Sequence, residues 1–342
     1  DICVPQISEG EGYNGRQVVF NLVRGGNFSH DRFAHTLKGD DKYPYFANAD
    51  LDHDGRSEVI VLERSPSGDG YICGMFGYKN RHHEQILKLS YPPVHIFTGD
   101  FNNDGLIDLM VIETIRYKIY FNNGGKFEDG GMFSESNTRI GSTLFGGDRV
   151  FQGDFNGDGL VDFLTNNSGY KNWYFCLNKG NGDFTKRLAC TSDIYKHANG
   201  RDDNKMQCLV FDFDFDGKSD VVMTNYVSES VPSKTVWMRS TGESLHTVKE
   251  VVSGSEANSL ASRFAVGCFT GSGQIEMMNY GANCYSQDGQ TEPQIHIYTN
   301  DGYTPESGKV TSVTDETGRT VDITYASLTD GSTYTKGYGA SY

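Results

Sequence analysis

At 342 residues the chain can form one to three domains, and 30 basic residues against 45 acidic ones leave a net charge of −15. That balance argues against nucleic acid or an anionic membrane as the main partner, and the sequence has no apolar run long enough to span a bilayer. Forty-one Gly, 20 Tyr and 21 Phe, with helix formers concentrated nowhere, suit an all-β protein with many turns.

The chain starts at Asp1 with no initiator Met and no signal-like segment, so a processed protein or a piece of a longer one is expected. Gln17 to Phe28 reads as the third strand, glycine turn and fourth strand of a repeating unit whose fuller copies follow, which starts the chain partway through a unit. One nine-residue loop then occurs four times, beginning at Asp50, Asp100, Asp154 and Asp212. Each copy reads D-x-[DN]-x-D-G-x-x-[DE]. Positions 1, 3, 5 and 9 are Asp50, Asp52, Asp54 and Glu58 in the first and Asp100, Asn102, Asp104 and Asp108 in the second. They are Asp154, Asn156, Asp158 and Asp162 in the third, and Asp212, Asp214, Asp216 and Asp220 in the fourth. Gly at position 6 permits the sharp turn that folds these oxygens toward one point. The backbone carbonyls of Arg56, Leu106, Leu160 and Lys218 at position 7 can add a further ligand.

Such a set of hard oxygens suits calcium, which takes six to eight of them from carboxylates, amides and carbonyls. Four such ions would bring the net charge from −15 to −7, so much of the acidity is expected to bind cations. The helix-loop-helix calcium motif does not fit, because it needs Glu at position 12 between amphipathic helices. Position 12 here is Val61, Val111, Thr165 or Met223, in short β-rich flanks. Acidic-Gly turns also make good hairpin turns, but four with one oxygen spacing call for a cation.

The loops are spaced by 50, 54 and 58 residues, and 56 more lead to Cys268-Phe269-Thr270-Gly271-Ser272-Gly273-Gln274-Ile275-Glu276. This fifth copy keeps Gly273 and Glu276 but has lost the acids at 1, 3 and 5, so it reads as the same turn without its metal. A period near 50 with about four short strands per unit predicts a β-propeller. The expected fold is all-β: a propeller of five or six four-stranded blades with calcium loops joining the first two strands of each blade, followed by a C-terminal β-hairpin. Residues 309–325 alternate with period two around Glu316-Thr317-Gly318, which predicts the hairpin. The predicted organisation is a propeller over 1–305 and a hairpin extension over 306–342 leading toward a following domain.

Strand-preceded D-x-[DN]-x-D-G-x-x-[DE] loops over about residues 17–300 resemble the FG-GAP/VCBS repeats of integrin α-subunits and many bacterial surface proteins, which implies calcium-binding propeller blades. The stretch from Val313 to Asp330, with Tyr334-Thr335-Lys336 after it, is similar to the segment that follows the propeller in SpvB/TcB-type toxin proteins and their Rhs-like relatives. That resemblance implies a non-enzymatic scaffold or docking module of a larger secreted protein, with other toxin subunits or the rest of a long polypeptide as partners. A free-standing secreted or cell-surface propeller binding glycans or a cell-surface receptor is the alternative.

No catalytic motif stands out. His82-His83-Glu84, read as part of a polar linker, lacks the spacing that puts two imidazoles on one helical face, and neither a G-x-S-x-G elbow nor a phosphate-cradling glycine loop occurs. Asn27-Phe28-Ser29 and Asn166-Asn167-Ser168 match the short glycosylation sequon, while Trp173 and Trp237 at strand spacing read as core or as sugar-stacking surfaces. The seven cysteines form no C-x-x-C pair, so a zinc cluster is not expected. Buried free thiols are expected, with Cys176–Cys190 or Cys268–Cys284 as candidate bridges.

Overall fold

The computed structural model of the protein describes residues 2–8, 17–24, 27–36, 45–53, 57–64, 71–76, 83–89, 93–113, 117–124, 126–133, 149–166, 172–191, 206–225, 234–252, 264–267, 269–270, 275–285, 291–299 and 309–325. Among these residues every regular element is a strand. A first sheet holds β1 (Ile2–Ser8), β2 (Gln17–Arg24) and β3 (Asn27–Thr36). Four four-stranded antiparallel sheets follow. They contain β4 (Tyr45–Ala49), β5 (Glu58–Arg64), β6 (Tyr71–Phe76) and β7 (His83–Leu89); β8 (Pro93–Gly99), β9 (Asp108–Glu113), β10 (Tyr117–Asn122) and β11 (Phe127–Phe133); β12 (Arg149–Gly153), β13 (Asp162–Asn166), β14 (Asn172–Asn178) and β15 (Phe184–Thr191); and β16 (Met206–Phe211), β17 (Asp220–Asn225), β18 (Lys234–Ser240) and β19 (Leu245–Val252). A three-stranded sheet of β20 (Phe264–Gly267), β21 (Glu276–Tyr285) and β22 (Thr291–Tyr298) precedes the hairpin β23 (Ser312–Thr314) and β24 (Thr320–Asp322).

These sheets are the blades of the expected β-propeller, and in each four-stranded sheet the acidic loop joins the first two strands. Three details differ from the sequence expectation. The opening unit contributes three strands, because Ile2–Ser8 pairs with β2. Pro5 obscures β1 in the sequence, but β1 lies at the sheet edge, where the missing N–H is tolerated. The unit of the degenerate loop also has three strands among the described residues. Finally, His83 and Glu84 open β7 instead of lying in a linker. In the hairpin the ladder is shorter than the sequence alternation, with Val313 opposite Val321 and a turn closed by Asp315 N–H to Arg319 O.

The core lies between blades. Leu51, Ile60 and Leu62 of the first four-stranded blade pack with Leu109, Val111 and Tyr120 of the next. Met110, Ile112 and Phe101 face the other way, onto Phe163 and Phe184 of the blade after that. Leu164, Phe155 and Trp173 then face Val221, Met223 and Met238. Successive residues of one strand point to opposite faces, so a blade buried on both faces needs a continuous apolar run such as Leu109-Met110-Val111-Ile112. Position 2 of each acidic loop (Leu51, Phe101, Phe155, Phe213) is buried, and Leu51, Phe101 and Phe155 belong to this packing. Position 12 is also buried, inside a strand, at Val61, Val111, Thr165 and Met223.

Cys176 and Cys190 are free thiols, so that candidate bridge does not form. Across β14 and β15, Cys176 lies opposite Lys186 and Cys190 opposite Trp173, which separates the two sulfurs. Burial pushes both thiols up to about 11. Cys268 lies outside the described residues, and with it the other candidate pair.

Candidate cation loops

The second, third and fourth loops are nests of backbone N–H groups around the position 1 carboxylate. Asp154 Oδ1 accepts from Gly157 N–H (2.7 Å) and Asp158 N–H (3.2 Å), and its Oδ2 accepts from Gly159 N–H (2.8 Å). Asp100 makes the same three bonds with Asn103, Asp104 and Gly105. Asp212 binds the N–H groups of Asp216 and Gly217. To wrap so tightly the chain enters the left-handed region at positions 4 and 6. Gly105, Gly159 and Gly217 at position 6 have φ of 84°, 83° and 85°. No Cβ is accommodated there without strain, which explains the invariant glycine among the four copies. Position 4 carries the same strain on His53, Asn103 and Phe215.

The side chains at positions 3 and 5 close the loop. Asn156 Oδ1 accepts the Asp158 N–H at 3.1 Å while its amide donates to Asp158 Oδ2 at 2.8 Å, and Asn102 does the same with Asp104. The position 7 residues Leu106, Leu160 and Lys218 donate their N–H to the position 5 acids Asp104, Asp158 and Asp216. In the first loop Asp50, Asp52 and Glu58 are described, whereas Asp54 and Arg56 lie outside the described residues. Three clusters bring carboxylate oxygens within 4.8 Å of one another: Asp50, Asp52 and Glu58; Asp154, Asp158 and Asp162; and Asp212, Asp214 and Asp216.

Position 9 has a second role that the motif does not announce. Asp162 is fully buried, its Oδ2 accepting the Phe155 N–H (3.0 Å) and its Oδ1 the Asn178 N–H at the end of β14 (2.8 Å). Asp108 holds Phe101 and Asn122, and Asp220 holds Phe213 and Ser240. Position 9 is therefore a clamp between the start of the loop and the third strand. Burial pushes Asp162 up to about 7, against these two hydrogen bonds. It pushes Asp108 and Asp220 up to about 6. Asp214 Oδ1 is also buried and accepts no hydrogen bond. Buried carboxylates with so little compensation, beside further acids, fit a divalent cation, which would restore their charged form.

The loops also lie at the joints between blades. Asn122 Nδ2 donates to Leu51 O (2.8 Å), Gly182 N–H to Phe101 O (2.9 Å) and Ser240 Oγ to Phe155 O (2.6 Å). In every case the acceptor is position 2 of the preceding blade's loop. Loops three and four touch directly, because Ser219 N–H donates to Asp154 O and Asp154 N–H to Ser219 Oγ. A Cβ on Gly153 would lie 2.7 Å from Val210 Cγ1 and 2.9 Å from Ser219 Oγ, so only glycine allows this approach.

Residues 100–165 and 154–223 match the family model for the FG-GAP-like repeat. Residues 100–223 therefore carry FG-GAP-like repeats. These two matches share the third loop and together contain loops two to four. Among solved structures, an Agrocybe aegerita lectin described for its specific recognition of non-reducing terminal N-acetylglucosamine matches with a TM-score of 0.56 at 17% identity. The match covers 87% of this chain and 80% of that one. The Photorhabdus luminescens Tc holotoxin pore matches with a TM-score of 0.47 at 14% identity, over 86% of this chain and 13% of that one. The Malassezia sympodialis allergen Mala s 1 matches with a TM-score of 0.40 at 9% identity, over 87% of this chain and 88% of that one. No curated protein sequence matches this chain. The lectin likeness is one of fold, in keeping with the propeller. Among the described residues no helix is long and apolar enough to cross a membrane.

Proposed function

We propose that this chain is a non-enzymatic, calcium-stabilised scaffold and docking module of a larger secreted protein of the Rhs/TcB/SpvB toxin type. The observation that carries the scaffold reading is the double use of the acidic loops. The residues that would hold the ion, positions 1, 3, 5 and 9, sit in loops of which the first three also accept, at the position 2 carbonyl, a hydrogen bond from the next blade. Oxygen-only donors, with no histidine or thiol at positions 1, 3, 5 and 9, suit calcium better than a transition metal. When bound, calcium supplies positive charge and multidentate coordination. The chain's residues do the rest: position 9 ties the loop to the third strand, and position 2 ties it to the neighbouring blade. Each joint is then rigid, and a rigid rim is what a docking surface requires. The toxin-type assignment draws on the similarity of the segment from Val313 to Lys336 to the stretch after the propeller in that family.

A second reading, prompted by the fold match to an N-acetylglucosamine-recognising lectin, is a free-standing secreted propeller that binds glycans. The mass of the native gene product separates the two. Immunoblotting should give a band far above the 37.9 kDa of this chain; a band at that mass would transfer the assignment to the glycan binder, to be taken to a glycan array. The calcium part is tested by melting in excess calcium and in excess EGTA. Each site filled at one hundred times its Kd contributes about 2.7 kcal/mol, so chelation should lower Tm by about 10 °C or more. An unchanged melt would sink the calcium reading.

A further inference from the structure

The fourth loop differs from the second and third in the charge that stands over it. Arg239, next to last in β18, places Nε 2.5 Å from Asp214 Oδ2 and Nη2 3.1 Å from Asp216 Oδ2. Lys218 Nζ lies 3.2 Å from the same Asp216 oxygen. The next-to-last residues of β10 and β14 are Phe121 and Leu177. These positions are equivalent in space as well as in number, because the last residues of the three strands (Asn122, Asn178 and Ser240) all donate their N–H to the position 9 acid. The second loop has three acids, Asp100, Asp104 and Asp108, and the third has Asp154, Asp158 and Asp162, with no basic residue in either loop. The fourth has four acids, but with Lys218 and Arg239 its local charge is −2, against −3 at the other two.

We propose that Arg239 is a built-in counter-cation of the fourth loop, so that this loop stays closed without calcium and takes the ion more weakly than the second and third. The inference rests on the calcium reading above. Guanidinium is always charged, and its fork bridges two carboxylates as a divalent ion would. It already occupies one oxygen of Asp214 and one of Asp216. Calcium entering beside it must displace the guanidinium or tolerate a positive charge a few ångströms away, and either weakens binding. The remaining Asp214 oxygen, buried without a hydrogen bond, keeps the site open to a cation and makes it weak instead of dead. Lys218 and Arg239 both reach Asp216 Oδ2, at 3.2 and 3.1 Å, so this loop is charge-compensated from within the protein.

The test is a terbium titration of the full chain, with calcium in competition, followed by tryptophan-sensitised emission. Trp237 lies against Phe213 of the fourth loop, with ring centroids 3.7 Å apart. The component of emission lost in Trp237→Phe therefore reports this loop. In the unmodified chain that component should be the last to fill. Arg239→Gln should tighten it about tenfold, the effect of removing one charge near a divalent ion, and leave the other components in place, while Arg239→Lys should stay weak. Filling before the other components, or a midpoint unmoved in Arg239→Gln, overturns the proposal while leaving the calcium reading intact. Absence of terbium or calcium binding at every component overturns both. If Arg239→Gln does not melt cooperatively, the filling order in the unmodified chain decides alone.

Discussion

The third loop and the turn at 269–276 occupy the same place in their blades and solve the same problem differently. In the third loop the Phe155 N–H binds the position 9 acid Asp162; in the degenerate turn the Phe269 N–H binds Glu276 at 2.7 Å. All five copies keep this bond, since Leu51 donates to Glu58, Phe101 to Asp108 and Phe213 to Asp220 as well. What differs is how the acid's charge is met. Asp162 sits beside Asp154 and Asp158, whose charges raise its pKa further after burial has done so. Glu276 has Thr270 instead, whose N–H and hydroxyl both donate to it. The clamp and the cation site are thus separable devices that share one residue. A loop that lacks the acids at positions 1, 3 and 5 can still tie its start to position 9, provided that a neutral donor replaces the neighbouring acids.

The largest single-residue effect should come from removing the clamp. Asp162→Ala leaves the Phe155 and Asn178 N–H groups buried without acceptors, and each orphaned donor costs about 1–3 kcal/mol. The expected loss is about 4 kcal/mol in urea unfolding in EGTA, and more in calcium, because Asp162 is also one of the residues that would hold the ion. Glu276→Ala should cost less, because its donors Phe269 and Thr270 are exposed and water can replace part of what is lost, and the cost should not depend on calcium. If Asp162→Ala were as stable as the unmodified chain in EGTA, position 9 would be a ligand alone and the two devices would be one.

The sequence carried the blades and the loops clearly and the joints poorly. Four copies of one oxygen spacing, at intervals near 50 residues, revealed the propeller, because acids that recur at fixed positions in a strand-to-strand turn mark one structural unit repeated. The continuous apolar run Leu109-Met110-Val111-Ile112 carries a further signal, since a strand buried on both faces needs such a run. The clamp was harder to see because a metal ligand and a buried structural acid look alike in a motif. The fifth copy held the signal: it lost positions 1, 3 and 5 yet kept Glu276, which a pure ligand would have no reason to do. Arg239 gave less warning. It lies 19 residues beyond Asp220, and only the pairing of β17 with β18 brings it over the loop. Strand β1 was hidden by Pro5, which weakens a strand pattern without forbidding an edge.

A smaller effect is expected at position 1. Asp154→Ala removes three backbone acceptor contacts, but Gly157, Asp158 and Gly159 are exposed and water can replace most of what is lost. About 2 kcal/mol should disappear in calcium, mostly as lost binding energy, and clearly less in EGTA. Equilibrium dialysis should find one calcium fewer per chain, and a crystal grown in calcium should show no ion at that loop. An unchanged stoichiometry would mean that the N–H nest is the only role of Asp154. Because Asp154 also pairs with Ser219 through its backbone, which the substitution spares, the neighbouring fourth loop should keep its own affinity.

The smallest effect, and the sharpest on the comparison, belongs to Thr270→Val. The substitution is nearly isosteric and keeps the Thr270 N–H bond to Glu276 while deleting the hydroxyl donor. A single such bond contributes about 1 kcal/mol. If the hydroxyl does in the fifth turn what a cation does in the third, the loss should be the same size in calcium and in EGTA, because no ion competes for the site. A loss seen only in EGTA would mean that calcium can fill in for the hydroxyl, and so that the fifth turn still binds it. The two results divide a turn that has replaced its ion from one that has merely weakened its grip, and they do so at the one copy where the motif had lost three of its four acids.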